Sequence, residues 1–214
     1  MDFIIDKVKK VLVLGPHPDD MEFGCLGTVL KLLEQNVEVH LAVFSMCEKS
    51  VPEGLPKDII KKELLEVAGV LKLDNSKIHL FDYDVREFPR YRQEILEDMV
   101  KLGHAIMPDL VFIPSSTDIH QDHQTIHNEG KRAFKFNMIL GYEMPWNNFN
   151  FHADLFIKLS EDKVARKIEL INLYKSQKNR VYSENEFLRS LMKIRGTQVK
   201  ADYAEAFEVI RLIG

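Results

Sequence analysis

Apolar positions along the chain follow two different periods. The run Val11-Leu12-Val13-Leu14-Gly15 has no polar residue alternating into it, as in a strand buried on both faces. Val37 to Ser45 is β-branched and apolar enough for a second strand, Ile78 to Phe81 gives a short third, and Leu110 to Ile113 a fourth. Between them the spacing turns helical. Residues 24–35 carry Leu26, Val29, Leu30 and Leu33, and residues 57–72 carry Ile60, Leu64, Val67, Ala68 and Leu71. Ile95 to Ile106 forms a third helix that stops before Pro108, since proline excludes the preceding residues from a continuing helix. Residues 46–56, with Pro52, Gly54 and Pro56, read as a loop, as do residues 82–90. The later part predicts a helix near 123–134, strands near 138–143 and 154–159, helices at 161–177 and near 184–195, and a closing strand in Ala206–Leu212. Alternating strands and helices with such gaps predict βαβ units, hence an α/β fold with a mainly parallel sheet flanked by helices. No linker, repeat or low-complexity tract interrupts it, so a single domain over residues 1–214 is expected.

Bulk properties narrow the partners rather than the fold. A chain of 214 residues with 45% hydrophobic and 29% charged residues is ordinary for a globular domain with one sizeable core. The net charge of −4 gives no electrostatic footprint for nucleic acid or an anionic membrane. No apolar run approaches the ~18 residues of a spanning helix. The start, Met1-Asp2-Phe3-Ile4-Ile5-Asp6, lacks the basic flank and cleavage site of a secretory signal. Cys25 and Cys47 form no dense disulfide framework, which favours a reducing compartment. The expectation is a cytoplasmic protein with a small-molecule substrate and neither nucleic acid nor membrane as partner.

The chemistry lies where two strands end. Gly15-Pro16-His17-Pro18-Asp19-Asp20-Met21-Glu22 follows the first strand, and Asp118-Ile119-His120-Gln121-Asp122-His123 follows the fourth. In an open α/β sheet such loops meet at the carboxyl edge, where ligands bind. Imidazole and carboxylate suit a borderline cation such as Zn²⁺, whose catalytic sites use three protein ligands and an open position. His17, one of Asp19 or Asp20, and one of His120 or His123 meet that count. The remaining carboxylate and imidazole would then be free for general-base work and oxyanion stabilisation, an inventory that suits amide or ester hydrolysis. Acidic residues before a helix also serve as N-caps, the bland alternative for Asp19 and Asp20.

The same residues resemble a known family. Pro16-His17-Pro18-Asp19-Asp20-Met21-Glu22 with Gly24-Cys25-Leu26-Gly27-Thr28 is similar to the signature of the PIG-L/LmbE-like deacetylases, and Asp118-x-His120-x-Asp122-His123 to its second block. Tyr174-Lys175-Ser176-Gln177 and Tyr203-Ala204-Glu205-Ala206-Phe207 are similar to its C-terminal stretches. The resemblance implies a Rossmann-like metalloenzyme that removes acetyl groups from N-acetylglucosamine conjugates, usually with zinc; the same ligands accept ferrous iron. It assigns His17, Asp20 and His123 to the metal, Asp19 as general base and then acid, His120 to the tetrahedral intermediate, and Asp122 to orienting an imidazole. Relatives commonly form homo-oligomers, which carries over as an expectation. One departure stands out: where members often carry an arginine, this chain has Ile60, Lys61 and Lys62, and lysine does not copy a bidentate arginine. The alternatives are a magnesium-dependent phosphoesterase or nucleotide-processing enzyme built on Asp19, Asp20 and Glu22, and a non-catalytic sugar-binding module of the same fold.

Several other residues invite roles. His127, four residues after His123, is expected behind the site or at the surface, and Cys25 and Cys47 in the core. Glu22 could be an extra ligand; the expected reading, two positions beyond Asp20, is a place in the helix start or a bond to one of the ligand residues. Arg86, Arg90 and Arg92 could line an entrance for an anionic substrate, because guanidinium forks match phosphate; the bland reading is a solvated face. Trp146 with Tyr142 and Phe149 could stack on a sugar or merely pack, and Glu143 could reach a substrate hydroxyl.

Overall fold

A computed structural model describes residues 8–178 and 180–213. Seven strands form one sheet: β1 (Lys10–Gly15), β2 (Glu38–Val43), β3 (Ile78–Leu80), β4 (Leu110–Pro114), β5 (Met138–Tyr142), β6 (Leu155–Leu159) and β7 (Tyr203–Arg211), in the spatial order β3-β2-β1-β4-β5-β7-β6. The first five run parallel, while β7 is antiparallel to both β5 and β6. The mainly parallel α/β architecture predicted from the hydrophobic pattern is therefore present. The C-terminal strand, however, is inserted between β5 and β6 and not placed at an edge.

Six helices connect the strands: α1 (Asp20–Glu34), α2 (Ile59–Val70), α3 (Arg92–Ile106), α4 (Gln121–Ala133), α5 (Glu161–Ile171) and α6 (Asn185–Gln198). Alternate residues of each central strand serve opposite faces. Val11, Val13, Val39, Leu41, Leu110 and Phe112 meet α1, α2, α5 and α6 on one face. Leu12, Leu14, Ala42, Val111 and Ile113 meet α3 and α4 on the other. Burial on both faces explains why β1 and β4 read as unbroken apolar runs. Among the described residues no helix is long and apolar enough to cross a membrane.

Two helix boundaries differ from the sequence reading by four residues or more. α1 begins at Asp20, four residues before the predicted start, because the polar segment Asp20-Met21-Glu22 is itself helical and buried. α5 ends at Ile171; the segment predicted as its continuation turns back so that Tyr174 is buried and Lys175–Gln177 forms a short 3₁₀ turn. Gly24 and Gly27 allow α1 to approach the sheet closely. A Cβ on Gly24 would lie 2.5 Å from the Tyr142 ring, and one on Gly27 2.5 Å from Leu159.

The sheet order reverses at β1 and β4: the chain proceeds outward from β1 through β2 and β3, then returns to the far side of β1 as β4. Loops diverge at such a point and leave a crevice at the carboxyl ends of the two strands. Both acidic–histidine blocks leave from there.

Candidate active site

The first loop is fixed by its own backbone. The Ser45 N–H donates to the Pro16 carbonyl at 3.1 Å, and the Tyr174 hydroxyl donates to the Pro18 carbonyl at 2.7 Å. The second loop turns into α4 with His120 as N-cap, its Nδ1 accepting the Asp122 N–H at 3.2 Å. These two anchors bring side chains a hundred residues apart into contact. His17 Nδ1 lies 3.2 Å from His123 Nε2, His17 Nδ1 lies 3.5 Å from Asp20 Oδ2, and His123 Nε2 lies 3.5 Å from Asp20 Oδ1. Ligand atoms at 2.0–2.1 Å from a tetrahedral ion are separated by about 3.3–3.4 Å. The His17–His123 pair comes close to that spacing, and Asp20 approaches the pair with a different oxygen toward each imidazole. A wider group of imidazoles, His17, His120 and His123, has ligand atoms within 4.8 Å of one another. His120 spends Nδ1 on its helix cap, as His17 and His123 each spend one nitrogen on a carboxylate, so its Nε2 is a further candidate ligand atom.

Each of the two close histidines has its other nitrogen on a carboxylate. Asp122 Oδ2 is 3.0 Å from His17 Nε2, and Asp118 Oδ2 is 2.7 Å from His123 Nδ1. Such partners fix the ring tautomer and direct the free nitrogen at a cation. Asp122, fully buried, accepts the backbone N–H of Arg86 at 2.6 Å and of Phe88 at 3.3 Å. Burial works against its charge, but the His17 bond and the Arg86 N–H outweigh it and hold the carboxyl below its ordinary range. Asp118 also accepts the His120 N–H at 2.9 Å. Sequence reasoning placed Asp118 in the block without giving it a role; a carboxylate five residues before a histidine carries no signal until the helix cap between them is known.

His123 feels burial, which lowers its pKa, but the charges and hydrogen bonds of Asp20 and Asp118 prevail and raise it to about 9. A cation held by His123 would have to displace a proton from it. His120 goes the other way. Burial first, then the neighbouring His17 and His123, lower it to about 4, so the ring is neutral near pH 7. With Nδ1 accepting at the helix cap, the proton sits on Nε2 and makes that atom a donor.

Asp19 makes no side-chain capping bond, so the cap explanation fails for it. Burial, then the Asp20 charge, raise its pKa to about 6. Glu22 is fully buried, neither carboxylate oxygen has a hydrogen-bond partner, and burial raises its pKa to about 8.

A cavity of about 280 Å³ opens over these groups, near the lower end of small-ligand sites. His17, Asp19, Asp20, His120 and His123 line one part of it, and Trp146, Gln177, Arg180 and Tyr182 another. Trp146 and Tyr182 stack at 4.0 Å, with the Phe23 ring edge-on to both. Arg180 and Tyr182 were not singled out from sequence, and Gln177 was quoted only as part of the Ser-Gln stretch. Of the three arginines suggested for the entrance, only Arg86 lines the cavity; Arg90 pairs with Glu87 and Arg92 with Glu129. Glu143 does not line it either, its carboxylate being held by Arg195. In the stretch where an arginine was missed, Ile60 lines the cavity, while Lys61 and Lys62 are exposed and Lys62 pairs with Asp58. Cys25 is in the core with its thiol pushed well up by burial, and His127 is buried with Nδ1 on the Pro114 carbonyl. Phe149 is exposed.

Comparison with known proteins adds to this geometry. The profile of the PIG-L family, described as GlcNAc-PI de-N-acetylase, matches residues 12–134. The uncharacterized deacetylase YaiS of Escherichia coli (strain K12) is 26% identical over 178 residues, covering 80% of this chain and 93% of YaiS. The diacetylchitobiose deacetylase of Thermococcus kodakarensis is 28% identical over 151 residues, 64% of this chain and 54% of that enzyme. Among solved structures, the N,N'-diacetylchitobiose deacetylase from Pyrococcus horikoshii superposes with a TM-score of 0.83 at 25% identity, over 96% of this chain and 85% of that one. GalB, the 4-carboxy-2-hydroxymuconate hydratase from Pseudomonas putida KT2440, shares the fold at 16% identity and a TM-score of 0.74. The fold alone thus does not select the reaction.

Proposed function

The chain belongs to the PIG-L family of deacetylases, and from that premise we propose that it hydrolyses the N-acetyl group of an N-acetylglucosamine-type sugar or sugar conjugate. The observation that carries the reading is the set of mutual distances of 3.2, 3.5 and 3.5 Å among His17 Nδ1, Asp20 and His123 Nε2, beside two groups with matched acid–base properties. His17, Asp20 and His123 would hold a divalent metal, with zinc favoured by the donor set and ferrous iron accepted by it. Magnesium is disfavoured because it prefers oxygen ligands. When bound, the metal would act as a Lewis acid and lower the pKa of water.

The protein's own groups account for the rest. Asp19, held near a pKa of 6, takes the proton from the attacking water and returns it to the leaving amine, and both tasks suit a group titrating close to the working pH. His120, neutral with its Nε2 hydrogen free, donates to the oxygen that gains charge as the amide carbon becomes tetrahedral. Asp122 and Asp118 act through His17 and His123, holding their rings in one tautomer. The stacked Trp146 and Tyr182 offer an apolar wall for a sugar face.

Acetate release from a panel of N-acetylated amino sugars and their glycosides, measured with and without a chelator, tests the proposal. Chelator-sensitive acetate release is expected. Release that survives complete metal removal, or no release from any N-acetyl sugar, would overturn it.

A further inference from the structure

The cavity is lined by groups of both charges. Its only lining carboxylates are Asp19 and Asp20, which sit with the histidines. Arg86 and Arg180 also line it, and both are exposed, which puts them at its rim. Of the seven other arginines, six are neutralised: Arg90, Arg92, Arg132, Arg166, Arg189 and Arg195 each pair with a glutamate, and Arg211 is exposed on β7, outside the cavity. Among the described residues, neither Arg86 nor Arg180 has a carboxylate within salt-bridge distance.

Both arginines are carried by fixed backbone. Arg86 has a left-handed φ of 70°, a conformation that costs a non-glycine residue energy and persists only where surroundings impose it. Here its N–H is tied to Asp122 at 2.6 Å, the same carboxylate that orients His17. Arg180 follows a turn pinned by the buried Glu63, which accepts Ser176 N–H at 3.0 Å and Ser176 Oγ at 2.5 Å. A further bond joins Ser183 Oγ to the Arg180 carbonyl at 2.7 Å. Two exposed guanidinium forks without a carboxylate partner, both lining the cavity, are a place for an anion.

We propose that the substrate carries an anionic substituent, a phosphate or a carboxylate, remote from its acetamide, and that Arg86 and Arg180 bind it at the cavity rim. The inference rests on the deacetylase reading for the acetamide end only. It makes charge a determinant of specificity, and it replaces the sequence-based entrance of Arg86, Arg90 and Arg92 with a pair drawn from two separate loops.

The test uses the metal-loaded enzyme and three ligands that differ only at the anomeric substituent: the methyl glycoside of N-acetylglucosamine, its 1-phosphate and its carboxymethyl glycoside. The charged ligands should have KM lower than the methyl glycoside by about tenfold or more, as charge-assisted hydrogen bonds allow. Whichever charged ligand shows the lower KM identifies the group as phosphate or carboxylate. Arg86→Gln and Arg180→Gln should each reduce the charged-to-neutral ratio of kcat/KM, and the double variant should bring it close to unity. Equal KM for charged and neutral ligands, or variants that raise every KM alike, would overturn the proposal and leave the deacetylase reading standing. If no ligand releases acetate, calorimetric titration with the 1-phosphate still decides. Binding that weakens with salt and is lost in the double variant upholds the anion site, and absence of binding to the unmodified protein overturns it.

Discussion

Two groups of buried carboxylates flank α1, and they are built on opposite terms. Glu205, on β7, is completely satisfied: it accepts Gly27 N–H at 2.8 Å, Thr28 N–H at 2.7 Å and Thr28 Oγ1 at 2.6 Å, and pairs with Lys167 at 2.7 Å. Lys167 also donates to the Phe23 carbonyl at 2.7 Å. That knot ties α1, α5 and β7 together and has no capacity left for a ligand. At the start of the same helix Asp19 has no capping bond and Glu22 has no partner at all. Unmet carboxylates inside a protein are costly, and their raised pKa values record that cost. The Gly-x-x-Gly-Thr and Ala-Glu-Ala-Phe stretches therefore belong to the architecture, whereas the His-Pro-Asp-Asp stretch leads into the unmet carboxylates, of which the proposed chemistry uses Asp19. A family signature mixes the two without distinction, and only the accounting of hydrogen bonds separates them.

The contrast can be broken by mutation. Asp19→Ala should lower kcat by about 10²–10⁴, the usual contribution of a general acid–base group, with metal content and melting temperature nearly unchanged. A comparable fall in stability would place Asp19 with the architectural carboxylates. Glu205→Ala should do the reverse. Removing one partner of a buried ion pair costs about 3–5 kcal/mol, visible in urea unfolding, while the folded fraction keeps most of its turnover. Loss of turnover at unchanged stability would refute the assignment.

The third test concerns Glu22 and pH. Its folded pKa of about 8 lies above the ordinary 4.5, so between those values the folded chain binds more protons than the unfolded one. Stability from this group is present at low pH and is lost as pH rises through that window. Glu22→Gln, which copies the protonated acid, should match the parent only below about pH 4, where the unfolded chain is protonated at this position too. It should exceed the metal-free parent by about 1–3 kcal/mol at pH 9, relaxation around the charge absorbing part of the shift. A difference that does not change with pH would mean that Glu22 is not held in the neutral form.

How much of this was readable beforehand depended on whether the information was local. The strands of the parallel half were legible because both faces are buried and the apolar runs are unbroken. The start of α1 was missed because Asp20 and Glu22 look like loop residues; they are helical, and nothing in the local pattern says that acids there are buried. The end of α5 was overrun because Leu173 and Tyr174 continue the helical period although the chain has already turned. The insertion of β7 between β5 and β6 depends on pairing across sixty residues, which alternation does not encode. In the site, His17, Asp19, Asp20, His120 and His123 all line one cavity as the two blocks suggested. The cavity wall contributed by Arg180 and Tyr182 has no sequence mark, because it depends on the Glu63–Ser176 anchor between distant elements. Glu143 was suggested for a substrate and is instead occupied by Arg195, a partner fifty-two residues away.

The central claim is that His17, Asp20 and His123 form the metal triangle while His120 stands outside it. Metal content and affinity of the protein and its Asp20→Ala, His123→Ala and His120→Ala variants, measured by elemental analysis and chelator competition at one pH, test this directly. Loss of tightly held metal in Asp20→Ala and His123→Ala, with retention in His120→Ala, is the predicted result. Metal lost from His120→Ala as fully as from His123→Ala, with Asp20→Ala unaffected, would contradict it and point to a site of three imidazoles.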